Sequence, residues 1–259
     1  MPTRTDLSLR GVAAIRYVTP LREGGSLPGL VEADDDGLYV VKFRGAGQGL
    51  RALVAEVIVG ELARRLGLLV PDLVTVEIDP VLGAAEPDPE IQDLITASGG
   101  ANLGVDFLPG ALPYTPAGPY TPPGELAADV VWLDALTTNV DRTPRNPNLL
   151  IWHDRLWLID HGAALYLHHG GLDPVAHADR AFPLIKDQVL LPHAGSILEA
   201  HERRASSVDT ATIQQTVALV PGDWLTSTGD SREIYVDYLS RRLETAEFAA
   251  EAERARVDA

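Results

Sequence analysis

Through its first hundred residues the chain alternates apolar and polar positions in short runs, and later it repeats apolar positions every three or four residues. Val12–Val18 is rich in strand formers. Leu30–Ala33 and Leu38–Phe43 flank Asp34-Asp35-Asp36-Gly37, an Asp-Gly turn that predicts a hairpin. Leu50, Leu53, Val54, Val57, Ile58, Leu62 and Leu66 fall at helical spacing, with Gly67 as a stop. Leu73–Ile78 alternates as a strand, and Asn102–Leu108 reads as another. Six prolines and three glycines between Pro109 and Gly124 exclude a helix or central strand and predict a surface loop at a lobe boundary.

Helical spacing takes over after this loop. Glu125–Thr137 carries Leu126, Val130, Leu133 and Leu136 along one face. Further helices are predicted at Ala194–Arg204, Val208–Val220 (capped by Ser207 or Asp209) and Ser231–Arg256. A hairpin-like pair, Leu149–Trp152 and Leu156–Ile159, brackets His153-Asp154-Arg155. The predicted plan is α+β: a small β-rich lobe over residues 1–108, a loop over 109–124, and a mainly helical lobe over 125–259 with a two-strand insert.

The 259 residues suffice for a sizeable core, and the absence of cysteine excludes disulfides, cysteine-ligated zinc, iron–sulfur clusters and a thiol nucleophile. Twenty-one Lys and Arg against 37 Asp and Glu leave a net charge of −16. Such a surface repels nucleic-acid phosphates and anionic lipid, so neither partner is expected. Met1–Pro20 lacks the apolar centre of a signal peptide, and no run approaches the roughly 18 apolar residues of a membrane span. A cytoplasmic protein is the expectation. Nineteen of the cations are arginine and only Lys42 and Lys186 are lysine. Lys42 stands inside an apolar strand, which marks it as a place where an ammonium is wanted.

The chemistry concentrates in one region. Asn139-Val140-Asp141-Arg142-Thr143-Pro144-Arg145-Asn146-Pro147-Asn148 leads into Leu149-Leu150-Ile151, and Leu158-Ile159-Asp160-His161-Gly162 follows. An acid stands five residues before an amide, then comes a hairpin, then a second acid at a strand end. Phosphoryl transfer needs a carboxylate to meet the accepting hydroxyl and hard oxygens to hold Mg²⁺. Asp141 can supply the first, Asn146 and Asp160 the second. Asp, Asn and Pro are also ordinary turn formers. The significance therefore lies in the ordered pair of motifs more than in the loop alone.

Asp141-Arg142-x-x-x-Asn146 followed by Ile159-Asp160-x-Gly162 resembles the catalytic core of the HipA-like kinases. More distantly it is similar to the phosphatidylinositol kinases and other protein-kinase-like folds. Val40-Val41-Lys42-Phe43 looks like the strand that carries the ATP lysine. Glu56, Leu62, Gly67 and Pro71 look like the family's Glu-containing helix ending in Gly-Leu-x-Val-Pro. The resemblance runs from about Leu21 to Gly162. It implies a bilobal protein-kinase-like fold with ATP and Mg²⁺ as cofactors, bound between the lobes. Lys42 would then pair with the α- and β-phosphates, Glu56 would hold Lys42, Asp141 would be the catalytic base, and Asn146 and Asp160 would bind Mg²⁺. Gly24-Gly25-Ser26-Leu27-Pro28-Gly29 stands where a loop over the phosphates belongs. Gly24, Gly25, Ser26 and Gly29 would contact phosphate there, although from the residues alone a plain Gly/Pro turn is the commoner reading. Leu103–Leu108, with Asp106, falls where the hinge and adenine contacts are expected. The lysine's partner stays open on geometry: at 100° per residue Glu61 lies near the centre of the apolar stripe and Glu56 off it, whereas the family register favours Glu56.

Two positions depart from the pattern. Thr143 stands where relatives often carry His, and His161 where ordinary protein kinases carry Phe, so neither imidazole chemistry in that loop nor a flipping-Phe switch is implied. The chain is also far shorter than full-length HipA toxins and without room for their extra N-terminal domain, so their target and toxin role are not expected. The implied activity is transfer of the γ-phosphoryl group of ATP to a hydroxyl, a protein Ser or Thr being the family-based acceptor. The alternatives are a nucleotide-binding pseudokinase or partner-binding module, and a small-molecule kinase on the same core. Elsewhere, His168-His169, His177, His193 and His201 show no metal-ligand spacing, no Walker loop is present, and Trp132, Trp152, Trp157 and Trp224 read as core.

Overall fold

The alternation of the first hundred residues closes into a barrel. In the computed structural model, which describes residues 8–21, 27–47, 49–170 and 172–258, the strands are β1 (Arg10–Pro20), β2 (Gly29–Ala33), β3 (Leu38–Lys42), β4 (Leu73–Ile78) and β5 (Gly100–Asp106). Their order around the barrel is β1-β2-β3-β5-β4, with β1 parallel to β4 and the other pairs antiparallel. Gly24, Gly25 and Ser26 of the expected phosphate loop lie outside the described residues.

The Asp-Gly hairpin forms as predicted, with Asp36 in the left-handed region (φ 61°), where a short polar side chain is tolerated. Asp35 ties the turn down: it pairs with Arg10 and accepts from the Tyr39 hydroxyl at 2.8 Å. Period-two alternation points Tyr39 and Val41 into the barrel, where they join Val12, Val31, Val74 and Val76. Gly104 has to be glycine: a Cβ there would lie 2.5 Å from Val76 Cγ2 and 2.8 Å from Val74 Cγ2.

A helix with no counterpart in the pattern reading, α2 (Pro89–Ala97), covers this core with Ile91 and Ile95. It begins on an Asp-Pro cap, Asp88 Oδ1 accepting the Glu90 N–H at 3.0 Å. The first long helix, α1 (Gly49–Arg65), matches its periodicity, yet it is buried on nearly every side from Ala52 to Ala63. The chain divides into two compact units, residues 1–53 with 71–109 and residues 54–70 with 110–259.

In the second unit α3 (Gly124–Leu136) is the centre, buried from Ala127 to Leu136. Against it pack α5 (Ile197–Arg204), α8 (Arg232–Thr245) and α9 (Glu247–Val257), while α6 (Thr210–Ala218) packs on α8; α7 (Gly222–Thr228) and the single-turn α4 (Tyr166–His169) complete the helices described. Arg242 of α8 stacks near Phe248 and donates to Ala135 O and Leu136 O, each at 2.9 Å, so a buried cation closes the C-terminal end of α3.

Three expectations change here. The long helix over Ser231–Arg256 is two helices, broken at Ala246, whose φ of 54° ends α8. The two-strand insert is a three-stranded sheet: β6 (Leu112–Pro113) from the proline loop adds to β7 (Leu149–Trp152) and β8 (Arg155–Leu158) at the edge, where proline is tolerated. Trp132 and Trp224 are core, but Trp152 and Trp157 are half-buried, stacked edge to face at 5.3 Å across that sheet. Among the described residues no helix is long and apolar enough to cross a membrane.

Candidate active site

Lys42 ends β3 opposite Leu103 and lies on the outer face of the barrel with Val40 and Leu38, half-buried. Asp106 ends β5 opposite Tyr39, three ladder positions from the Lys42 pair. Burial, reinforced by Asp72, pushes the Asp106 carboxyl above the ordinary carboxylate range. Gly29 opens β2 opposite Val41. Its lack of a side chain has a packing reason, since a Cβ would come within 2.4 Å of the Tyr17 ring.

On α1 both candidate glutamates are buried, Glu56 at 1% and Glu61 at 5% exposure. The apolar stripe therefore does not separate them, because the helix is covered all round. Glu61 has its own cation in Arg64, 3.4 Å away on the next turn.

The catalytic-loop candidate is held from beneath by a buried ion pair. Asp134, on α3, meets Arg142 Nε at 2.9 Å, and neither side chain is exposed to solvent. Such a pair is costly unless its remaining hydrogen-bonding groups are satisfied. Here they are: Asp134 also accepts from Asn139 Nδ2 (3.0 Å) and Gln188 Nε2 (2.9 Å). Arg142 reaches the carbonyls of Asn148 and Ile159 and the Nδ1 of His161 at 3.1 Å. Arginine only donates, so His161 Nδ1 is the acceptor in that bond.

Above the pair, Asn139 Oδ1 accepts the Asp141 N–H at 3.1 Å. Asp141 Oδ2 accepts from Asn146 Nδ2 at 2.7 Å and from Asn148 Nδ2 at 3.2 Å. Two amides thus converge on one oxygen of the Asp141 carboxylate. Asn148 Nδ2 also lies 3.3 Å from the Asp160 carbonyl, so one amide joins the loop to the segment after β8. Asn148 (φ 50°) and Asp160 (φ 54°) are both left-handed, a backbone arrangement that costs energy and recurs where a side chain must be aimed. The structure therefore brings together Asp141, Asn146 and the Asp160 backbone. Arg142 of the quoted motif, together with Asn148, Asp134 and Gln188, to which the sequence reading gave no role, completes the arrangement.

The donor set suits Mg²⁺. With Nδ2 given to Asp141, Asn146 keeps an amide oxygen and Asp160 a carboxylate, both hard oxygens of the kind that would hold such an ion. Among the described residues no three His, Cys, Asp or Glu side chains are grouped to hold a metal.

Comparison with known proteins follows the same line. The crystal structure of the Helicobacter pylori proinflammatory kinase CtkA superposes with a TM-score of 0.56 at 13% identity, covering 99% of each chain. That of the Golgi casein kinase gives a TM-score of 0.49 at 13% identity over 96% of this chain and 74% of the other. No curated protein matches. The fold is protein-kinase-like, a β-rich N-terminal part followed by a helical C-terminal part. The family model for HipA-like kinases matches residues 14–250, and the chain accordingly belongs to the HipA-like kinase family.

Proposed function

We propose that this chain is an ATP- and Mg²⁺-dependent phosphotransferase that moves the γ-phosphoryl group to a hydroxyl, with a protein Ser or Thr as acceptor. The observation that carries this reading is Asp141, whose Oδ2 is fixed by two amides while Oδ1 is free to take the acceptor's proton. Asp141 orients the hydroxyl, and Asn146 and Asp160 hold the cation that neutralises the phosphates. Lys42 and Glu56 take the lysine and glutamate roles of the family, Glu61 being already matched with Arg64. Gly24, Gly25, Ser26, Gly29 and Asp106 are the proposed nucleotide contacts of the barrel.

The test follows phosphate from γ-labelled ATP with Mg²⁺ into protein and into a panel of metabolite alcohols. Label in protein is expected from the parent and none from Asp141→Asn, with ATP binding retained in both. An ATP-derived acyl-phosphate probe should label Lys42, and ATP should suppress that labelling. Lys186, the other lysine, is exposed and should not be protected. Binding without transfer by the parent would make the chain a pseudokinase, and label in a metabolite would make it a small-molecule kinase.

A further inference from the structure

Forty residues beyond the catalytic loop, the chain returns to it. A 3-10 turn over Pro183–Asp187 delivers Gln188, Val189 and Leu190, all buried, against the underside of the Asp134–Arg142 pair. Leu190 N–H donates to Gln188 Oε1 at 2.6 Å, which sets the orientation of the amide and aims Nε2 at Asp134 Oδ2, 2.9 Å away. The next residue grips the other partner: Val189 N–H donates to Arg142 O at 3.0 Å. Two consecutive residues of the strap thus hold both members of one buried ion pair, in a closed ring Gln188–Asp134–Arg142–Val189.

From Asp134 the path to the reacting group is short. Asp134 Oδ1 holds Asn139, and Asn139 Oδ1 holds the Asp141 N–H. We propose that Gln188 is a positioning residue for phosphoryl transfer, fixing the Asp141 carboxylate through Asp134 and Asn139; the proposal rests on the phosphotransfer reading. A neutral amide suits the place. It adds a donor to Asp134 without disturbing the balance of a buried pair, whereas a second cation would need its own partner.

The experiment compares the parent with Gln188→Met, which keeps the volume and loses the donor, and with Gln188→Glu. Lys186→Ala, an exposed change on the same turn, is the control. Transfer kinetics are measured beside hydrogen exchange at the Asp141 amide. For Gln188→Met, kcat falls about 10- to 100-fold, the cost of a small misplacement of a catalytic group. KM for ATP stays within about twofold, because the lost interaction acts on the reacting carboxylate. Exchange at Asp141 quickens while the helices keep parental protection.

Gln188→Glu guards against a variant that does not fold. In that variant a protonated carboxyl donates to Asp134 as the amide of the parent does, so the deficit relative to the parent narrows as pH falls. Parental kcat together with parental exchange at Asp141 overturns the proposal. So does a loss of kcat accompanied by faster exchange throughout the helical unit. Should the parent transfer no phosphate, the phosphotransfer reading fails instead, and exchange at Asp141 alone upholds or overturns the brace.

Discussion

Asp141 has two carboxylate oxygens, and its surroundings treat them differently. Asn146 and Asn148 both donate to Oδ2, and in the proposed reading Asn146 alone of the two would also give its amide oxygen to the metal. The two asparagines are therefore separable. Asn148→Gly keeps the left-handed backbone at φ 50° and removes only the amide. That amide also donates to the Asp160 carbonyl, so two hydrogen bonds are lost, one of them to a charged group; kcat should fall by about 10-fold, with a smaller change in Mg²⁺ dependence than Asn146→Ala causes. Asn146→Ala should instead raise the Mg²⁺ concentration needed for half-maximal rate. Equal Mg²⁺ curves for the two variants would remove the distinction. Asp141, Asn146 and Asp160 are legible in the sequence because their spacing within one loop and hairpin is itself the signal. Asp134 and Gln188 are not, since a buried Asp on a helix and a Gln in a loop acquire meaning only when folding sets them 2.9 Å apart. Asn148 leaves a faint trace, an asparagine just before a strand, the residue type most at ease in the left-handed region.

Elements follow the same division. Helices with a clear stripe and a stop can be read directly, as α1 and Gly67 show. The break at Ala246 is invisible, because alanine is the best helix former and nothing local asks it to leave the helix. Ala246→Gly should relieve the positive φ and raise stability by about 1 kcal/mol, read from the urea midpoint. α2 escapes the pattern although its Asp88-Pro89 cap is a recognised start, because its core contribution is two isoleucines, too few to establish a period. Where α5 meets α3, Trp132 Nε1 donates to His201 Nδ1 at 3.1 Å, which requires that nitrogen to be unprotonated. Burial lowers the His201 pKa below its ordinary 6.5, against a smaller opposing pull from Glu202. The unfolded chain then binds this proton more readily than the folded one, so stability is full above pH 6.5 and is lost as pH falls below it. His201→Gln, an uncharged acceptor, should flatten the fall in urea midpoint between about pH 7.5 and 5.5. An unchanged slope would place that pH dependence elsewhere.

For the whole molecule, sequence charge and fold combine. From Leu66 to Asp141 the chain has twelve acidic residues and no Lys or Arg. Eight of them fall in residues 71–109, in the same unit as the barrel. The field registers on neighbouring groups. The Tyr17 hydroxyl is pushed up to about 12, chiefly by burial and then by Glu86 and Asp88. Asp106 is raised in the same way, chiefly by burial and then by Asp72. Two salt effects then oppose each other. Added salt weakens exposed pairs such as Arg16–Glu32 and Arg241–Asp179, but such solvated pairs contribute little. It also screens the self-repulsion of a chain at −16, most strongly where no cation is interspersed. Repulsion should dominate, so raising NaCl from about 0.05 to 0.5 M, which shortens the screening length several-fold, should stabilise the protein. A gain near 1 kcal/mol corresponds to roughly 2–4 °C in melting temperature for a chain of this size. Asp93→Lys, an exposed reversal within the cation-free stretch, should raise the low-salt melting temperature and reduce its salt dependence. If salt lowers the melting temperature, or if Asp93→Lys leaves its salt slope untouched, the exposed pairs outweigh the repulsion and the acidic stretch is simply solvated.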